Sequence, residues 1–122
     1  MTKILLAEDD LFLRDIYVET LDGEGFEVTA AIDGQQAFDA IILGGWDLVL
    51  LDVVMPKMNG VEVLKQLRDK SPKTLAKHIV FMTNSDINSE LNEVMDMTDG
   101  FLLKSAYTPE QLVAQIKDFL KI

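Results

Sequence analysis

The sequence contains no cysteine. That absence removes disulfides, thiolate metal sites and thiol catalysis together, and it is compatible with a reducing compartment. Basic residues are scarce, with 11 Lys and Arg against 21 Asp and Glu and a formal net charge of −10. So acidic a chain is not expected to grip a phosphate backbone by itself, so no direct contact with nucleic acid is expected. No apolar run approaches the ~20 residues needed to cross a bilayer, and membrane insertion is not expected either. Met1-Thr2-Lys3-Ile4 leads straight into a strand-like segment, without the charged lead or cleavage site of a secretory signal, and a cytoplasmic location is expected. His78, the one histidine, is expected to start a strand and Trp46, the one tryptophan, to anchor a loop. The six methionines are scattered and suggest no cofactor box. Internal repeats, linkers and low-complexity tracts are missing as well.

What is present is 122 residues with 48% hydrophobic content, enough for one domain, residues 1–122, with a core able to stand alone. Short apolar runs alternate with segments of helical period, the pattern of repeated βα units around a mostly parallel sheet. Strands are expected at Lys3 to Ala7, Phe26 to Ala30, Asp47 to Leu51, His78 to Met82 and Gly100 to Leu103. The third, rich in Leu and Val, reads as central because helices must cover both its faces. Helices are expected from about Leu11 to Glu24, Gly34 to Leu43, Val61 to Lys70 and Ile87 to Met97, the last of weaker amphipathicity. A final helix follows Thr108-Pro109-Glu110-Gln111, which combines an N-cap hydroxyl, a first-position proline and a capping-box glutamine. Crossovers between parallel strands are right-handed, so five such units build a doubly wound α/β sheet that binds ligands beyond the carboxyl ends of its strands.

Four of the strands stop at polar groups: Ala7 at Glu8-Asp9-Asp10, Leu51 at Asp52, Met82 at Thr83 and Leu103 at Lys104. A parallel sheet gathers those endings on one rim. At about 4 Å and an effective dielectric of about 20, each like-charge pair costs on the order of 4 kcal/mol. Such a cluster asks for a cation.

These residues resemble the receiver domain of two-component response regulators, similar to the chemotaxis receiver. The resemblance covers the whole chain and rests on Ile4 to Asp10, Leu50 to Gly60, Val80 to Thr83 and Phe101 to Lys104, in the family's order and spacing. It implies a (βα)5 fold with the flavodoxin-like strand order 2-1-3-4-5 and a phosphorylation-dependent signalling switch. Asp52 would be the phosphoacceptor, attacking a phosphoryl group as a nucleophile. Mg²⁺ would offset repulsion between the anions. Asp9, Asp52 and the backbone carbonyl of Val54 would touch the metal, Glu8 would act largely through a bound water, and Asp10 would cap the first helix outside the metal site. Lys104 and Thr83 would contact phosphoryl oxygens, and Thr83 moving inward would make room for the Phe101 ring. The implied donor is a histidine kinase or histidine phosphotransfer protein. With no effector domain in the chain, the output would be binding of a downstream protein or a second copy through the fourth helix, fifth strand and fifth helix. The chain would not be an enzyme beyond self-phosphorylation and autodephosphorylation.

Three positions depart from the family pattern. Ser105 follows Lys104 where proline is usual, and a cis bond before a residue other than proline costs ~2.5–4 kcal/mol. Asn84 follows Thr83 where a small residue is common. Phe101 lacks the hydroxyl of the tyrosine often found there. The rival readings are an Mg²⁺-dependent phosphatase with an Asp nucleophile, a phosphorylation-independent degenerate receiver, and a flavin binder. Phosphatase chemistry wants a general acid two residues after the nucleophile, where Val54 stands. A flavin phosphate would be repelled by Glu8-Asp9-Asp10.

Overall fold

A computed structural model of the chain describes residues 1–84 and 89–122. Five parallel strands, β1 (Lys3–Ala7), β2 (Glu27–Ala31), β3 (Trp46–Asp52), β4 (Ala76–Thr83) and β5 (Gly100–Leu103), form one sheet in the order β2-β1-β3-β4-β5. Helices α1 (Leu11–Gly23), α2 (Gly34–Ile41), α3 (Gly60–Leu67), α4 (Ser89–Asn92) and α5 (Pro109–Leu120) connect and cover it. This is a doubly wound sheet, in the strand order that the family resemblance implies.

Alternation along each strand divides the apolar residues between two cores. Leu5, Val49, Leu51, Ile79 and Phe81 face the side covered by α2, α3 and α4, while Ile4, Leu6, Leu48, Leu50 and Val80 face α1 and α5. Leu48 to Leu51 are all fully buried, so the unbroken apolar run of β3 is explained by helices on both faces. Burying each such side chain contributes about 1.5–3 kcal/mol relative to leaving it exposed. Leu51 stands opposite Ala7 of β1, Asp52 opposite Met82 of β4 and Thr83 opposite Leu103 of β5. That register brings the polar endings level with one another.

Several boundaries move. Phe26, expected in β2, instead precedes it and is buried with Tyr17 and Leu21 of α1. Helix α1 stops at Gly23 because Gly25, at φ +87°, turns the chain through the left-handed region that glycine adopts freely. The helix expected through Lys70 is α-helical only to Leu67 and tightens to a 3-10 turn at Arg68–Lys70. Pro72 begins a further single turn, Pro72–Leu75, because a proline at a first helical position forfeits no hydrogen bond.

The start of the expected fourth helix, at Ile87, lies outside the described residues. From Ser89 onward the segment forms not one α-helix but α4 and a separate 3-10 turn at Met95–Met97. Its buried residues are Leu91, Val94 and Met97.

Candidate functional site

The carboxyl ends of β1, β3, β4 and β5 enclose a cleft of about 260 Å³ lined by Glu8, Asp9, Asp10, Leu13, Asp52, Val54, Thr83, Asn84 and Lys104. Every cleft residue singled out from the sequence is therefore in one place. Glu8, Asp52 and Thr83 are buried, whereas Asp9 is exposed. Lys104 Nζ donates to Asp52 Oδ2 at 2.8 Å and to Glu8 Oε1 at 2.5 Å. One ammonium thus bridges the ends of β1 and β3 from the end of β5. The Lys104–Ser105 bond is trans and leads into a 3-10 turn, Lys104–Ala106. Serine in place of proline therefore still delivers the ammonium to the acids.

Each carboxylate is placed by local structure. Asp10 caps α1 by accepting from the Leu13 N–H at 3.0 Å, as expected, and its own N–H donates to Glu8 Oε2 at 3.3 Å. Arg14 Nη1 donates to the carbonyls of Glu8 (3.0 Å) and Asp9 (3.4 Å) and so holds the acidic turn from the first helix. Sequence reasoning missed Arg14, because no motif marks a side chain that serves a backbone six residues earlier. Beyond Asp52, the Val53 N–H donates to the Met82 carbonyl at 3.2 Å and the Gly60 N–H donates to the Val53 carbonyl at 2.8 Å. A Cβ on Gly60 would lie 2.5 Å from the Asp52 carbonyl oxygen, so glycine there permits the first turn of α3 to touch the Asp52 backbone.

Burial pushes the Glu8 carboxyl above its ordinary range, and the neighbouring Asp52 adds to the shift against the opposing pull of Lys104. Burial works to lower the Lys104 ammonium, but its hydrogen bonds to Asp52 and Glu8 outweigh that and raise it. One carboxylate oxygen from each of Glu8, Asp9 and Asp52 lies within 4.8 Å of the others. The set is entirely oxygen, which fits a hard divalent cation such as Mg²⁺ and suits a soft one poorly. Val54 lines the same cleft and is itself 76% exposed. Phe101 lies outside the cleft. It pairs with Phe81 across the β4–β5 ladder and packs, partly buried, against the core on the α4 side.

The response regulator receiver domain model matches residues 4–117. The chain is 40% identical over 124 residues to the transcriptional regulatory protein CpxR of Escherichia coli, an alignment covering 99% of this chain and 50% of CpxR. It spans about half the length of the curated relatives it matches. The solved structure of the chemotaxis response regulator CheY4 of Vibrio cholerae superposes with a TM-score of 0.81 at 29% identity, over 98% of each chain. The response regulator TrrA of Thermotoga maritima, solved in complex with Mg²⁺ and BeF, gives a TM-score of 0.79 at 29% identity over 98% of this chain and 99% of that one.

Proposed function

Because the chain belongs to the response regulator receiver domain family, whose members are phosphorylation-dependent signalling domains, we propose that Asp52 is its phosphoacceptor and that the acidic cleft holds Mg²⁺. The observation that carries this reading is the bridge from Lys104 Nζ to Asp52 Oδ2 and Glu8 Oε1. It leaves a buried nucleophile beside a cation that a phosphoryl oxygen can capture.

Asp9, Asp52 and the carbonyl of Val54 would hold the ion, with Glu8 acting through a water. Bound there, Mg²⁺ neutralises charge between the incoming phosphoryl group and the carboxylates. An Asp52 carboxylate oxygen attacks the phosphorus of a phosphohistidine on a histidine kinase or phosphotransfer protein. The new O–P bond forms as the P–N bond breaks, and the imidazole leaves with the electron pair. Lys104 turns from the carboxylates to one phosphoryl oxygen and Thr83 donates its hydroxyl to another. Thr83 moving inward frees volume for Phe101, which changes the face formed by α4, β5 and α5 and so selects a downstream protein or a second copy. The chain would act as a phospho-acceptor, not as a turnover enzyme. Val54, at the position a phosphatase of this type needs for its general acid, has no proton to give.

The test is incubation with Mg²⁺ and acetyl phosphate followed by intact mass measurement. A single acid-stable, base-labile phosphoryl adduct is expected, absent in Asp52→Asn. No adduct from any donor, histidine kinases included, would sink the reading. Turnover of a phosphate monoester at enzyme-like rates would favour the hydrolase.

A further inference from the structure

Among the described residues, the buried polar or charged side chains are Glu8, Asp33, Asp52 and Thr83. Three of them line the cleft, but Asp33 does not. It stands at the start of α2, where its Oδ1 accepts from the Gln36 N–H at 2.8 Å and caps the helix. A cap explains one oxygen. The other, Oδ2, faces Lys57 Nζ at 3.5 Å, and Lys57 belongs to the loop that runs from Asp52 to α3.

The next residue makes the same connection. The Gly34 N–H donates to the Pro56 carbonyl at 3.3 Å, and a Cβ on Gly34 would fall 1.7 Å from the Met58 carbonyl oxygen and 2.5 Å from its carbon. Since no side chain fits there, glycine is required by close approach of the two backbones. On the loop side, the Met58 N–H donates to the Pro56 carbonyl at 2.7 Å, Met58 is buried in the core, and Lys57 takes the left-handed φ of +68°. The ends of this loop are held by Val53 on β4 and by Gly60 against Asp52. Its middle is held by Asp33 and Gly34.

We propose that Asp33 and Gly34 are positioning residues for the phosphorylation site: they seat Pro56, Lys57 and Met58 so that the Val54 carbonyl stays at the metal position and the loop does not drift from Asp52. The inference rests on the reading of Glu8, Asp9, Asp52 and Val54 as an Mg²⁺ site. Outer-shell partners of this kind change metal affinity without touching the ion.

The experiment uses the full ¹⁵N-labelled chain as wild type, Gly34→Ala, Asp33→Asn and a control, Asp47→Asn. Asparagine keeps the cap of α2 but gives up the charge facing Lys57. Asp47 lies at the opposite end of the sheet, bonded to the Lys3 N–H. Two quantities are read: amide exchange of Gly34 and Met58 in metal-free protein, and the Mg²⁺ dissociation constant by titration of the loop amides. Gly34→Ala is expected to raise that constant about 10- to 100-fold. Asp33→Asn should raise it less, in the same direction, and both should speed exchange at Met58. Asp47→Asn should leave the Mg²⁺ dissociation constant at the wild-type value. If Gly34→Ala does not fold, the Asp33→Asn arm decides alone. Unchanged Mg²⁺ affinity and unchanged Met58 exchange in folded variants would overturn the positioning role and leave the phosphoacceptor reading standing. Failure of the wild type itself to bind Mg²⁺ would overturn both.

Discussion

Lys104 Nζ lies 2.8 Å from Asp52 Oδ2, a contact made between residues 52 positions apart. The proposed nucleophile is therefore already paired with a cation before any phosphoryl group arrives. On the proposed reading, phosphorylation at Asp52 would exchange one Lys104 partner for another instead of recruiting a distant charge, and the acids left behind would depend on the metal.

Glu8 should reduce stability at neutral pH. An acid whose folded pKa is raised holds its proton more tightly in the native state, so stability falls as pH rises from its unfolded value of 4.5 through the folded one. Glu8→Gln is expected to unfold at higher urea concentration than wild type at pH 7 in the absence of Mg²⁺. The advantage should vanish towards pH 4. Urea titrations across that range check it, and a Glu8→Gln protein less stable at pH 7 would contradict a net cost of burying this carboxylate.

Asp47 should show the opposite slope. Its carboxylate accepts the Lys3 N–H at 2.8 Å and pairs with Lys77 at 3.2 Å, and the bond from Lys3, assisted by Lys77, holds it below the usual 3.8. The stability it contributes is present above the unfolded pKa and is lost as pH falls through the folded one. Asp47→Asn should cost stability at pH 7, with the difference from wild type shrinking below about pH 4. Denaturation midpoints measured between pH 2.5 and 7 give the answer.

Gly60→Ala places a methyl group 2.5 Å from the Asp52 carbonyl oxygen and 3.0 Å from Phe81 Cε1. Neither neighbour is the far end of a flexible side chain, so the strand end must shift. A loss of about 1–3 kcal/mol in urea denaturation is expected from overpacking. Slower adduct formation with acetyl phosphate should accompany it, because the displaced backbone is that of Asp52.

Thr83→Val keeps the shape of the side chain and deletes its hydroxyl. With Thr83 and Asp52 on the same rim, the variant is expected to form the Asp52 adduct about 10- to 100-fold more slowly, a loss of about 1.4–2.7 kcal/mol of transition-state stabilisation. It should also lose the change at Phe101, which a ¹⁹F-labelled phenylalanine would report before and after phosphorylation. A wild-type-like ¹⁹F response in the variant would remove Thr83 from the switch.

Much of this architecture is visible in the chain because its signals are local. The apolar run of Leu48 to Leu51 identifies a strand buried on both faces, and Thr108 with Gln111 forms the capping box that its sequence announces. The polar residues that end the strands also stand out, because a parallel sheet has one carboxyl rim. Less legible were the short elements. Phe26 reads as strand but packs as a core side chain below it, and the segment after Ser89 reads as part of one α-helix but forms α4 and a separate 3-10 turn at Met95–Met97.

By itself the sequence determined the alternation of strands and helices, the capping box of the last helix and the chemical types on the rim, since propensity and periodicity act within a few residues. Tertiary structure decided who meets whom. Lys104 reaches Glu8 across 96 positions and Asp52 across 52, Arg14 braces the acidic turn, and Gly34 lies against Met58. Those encounters follow from strand order and register, which place side chains within a few ångströms regardless of the chain length between them. Asp33 caps α2 with one oxygen, and only the folded chain shows its second oxygen turned towards the loop that follows Asp52.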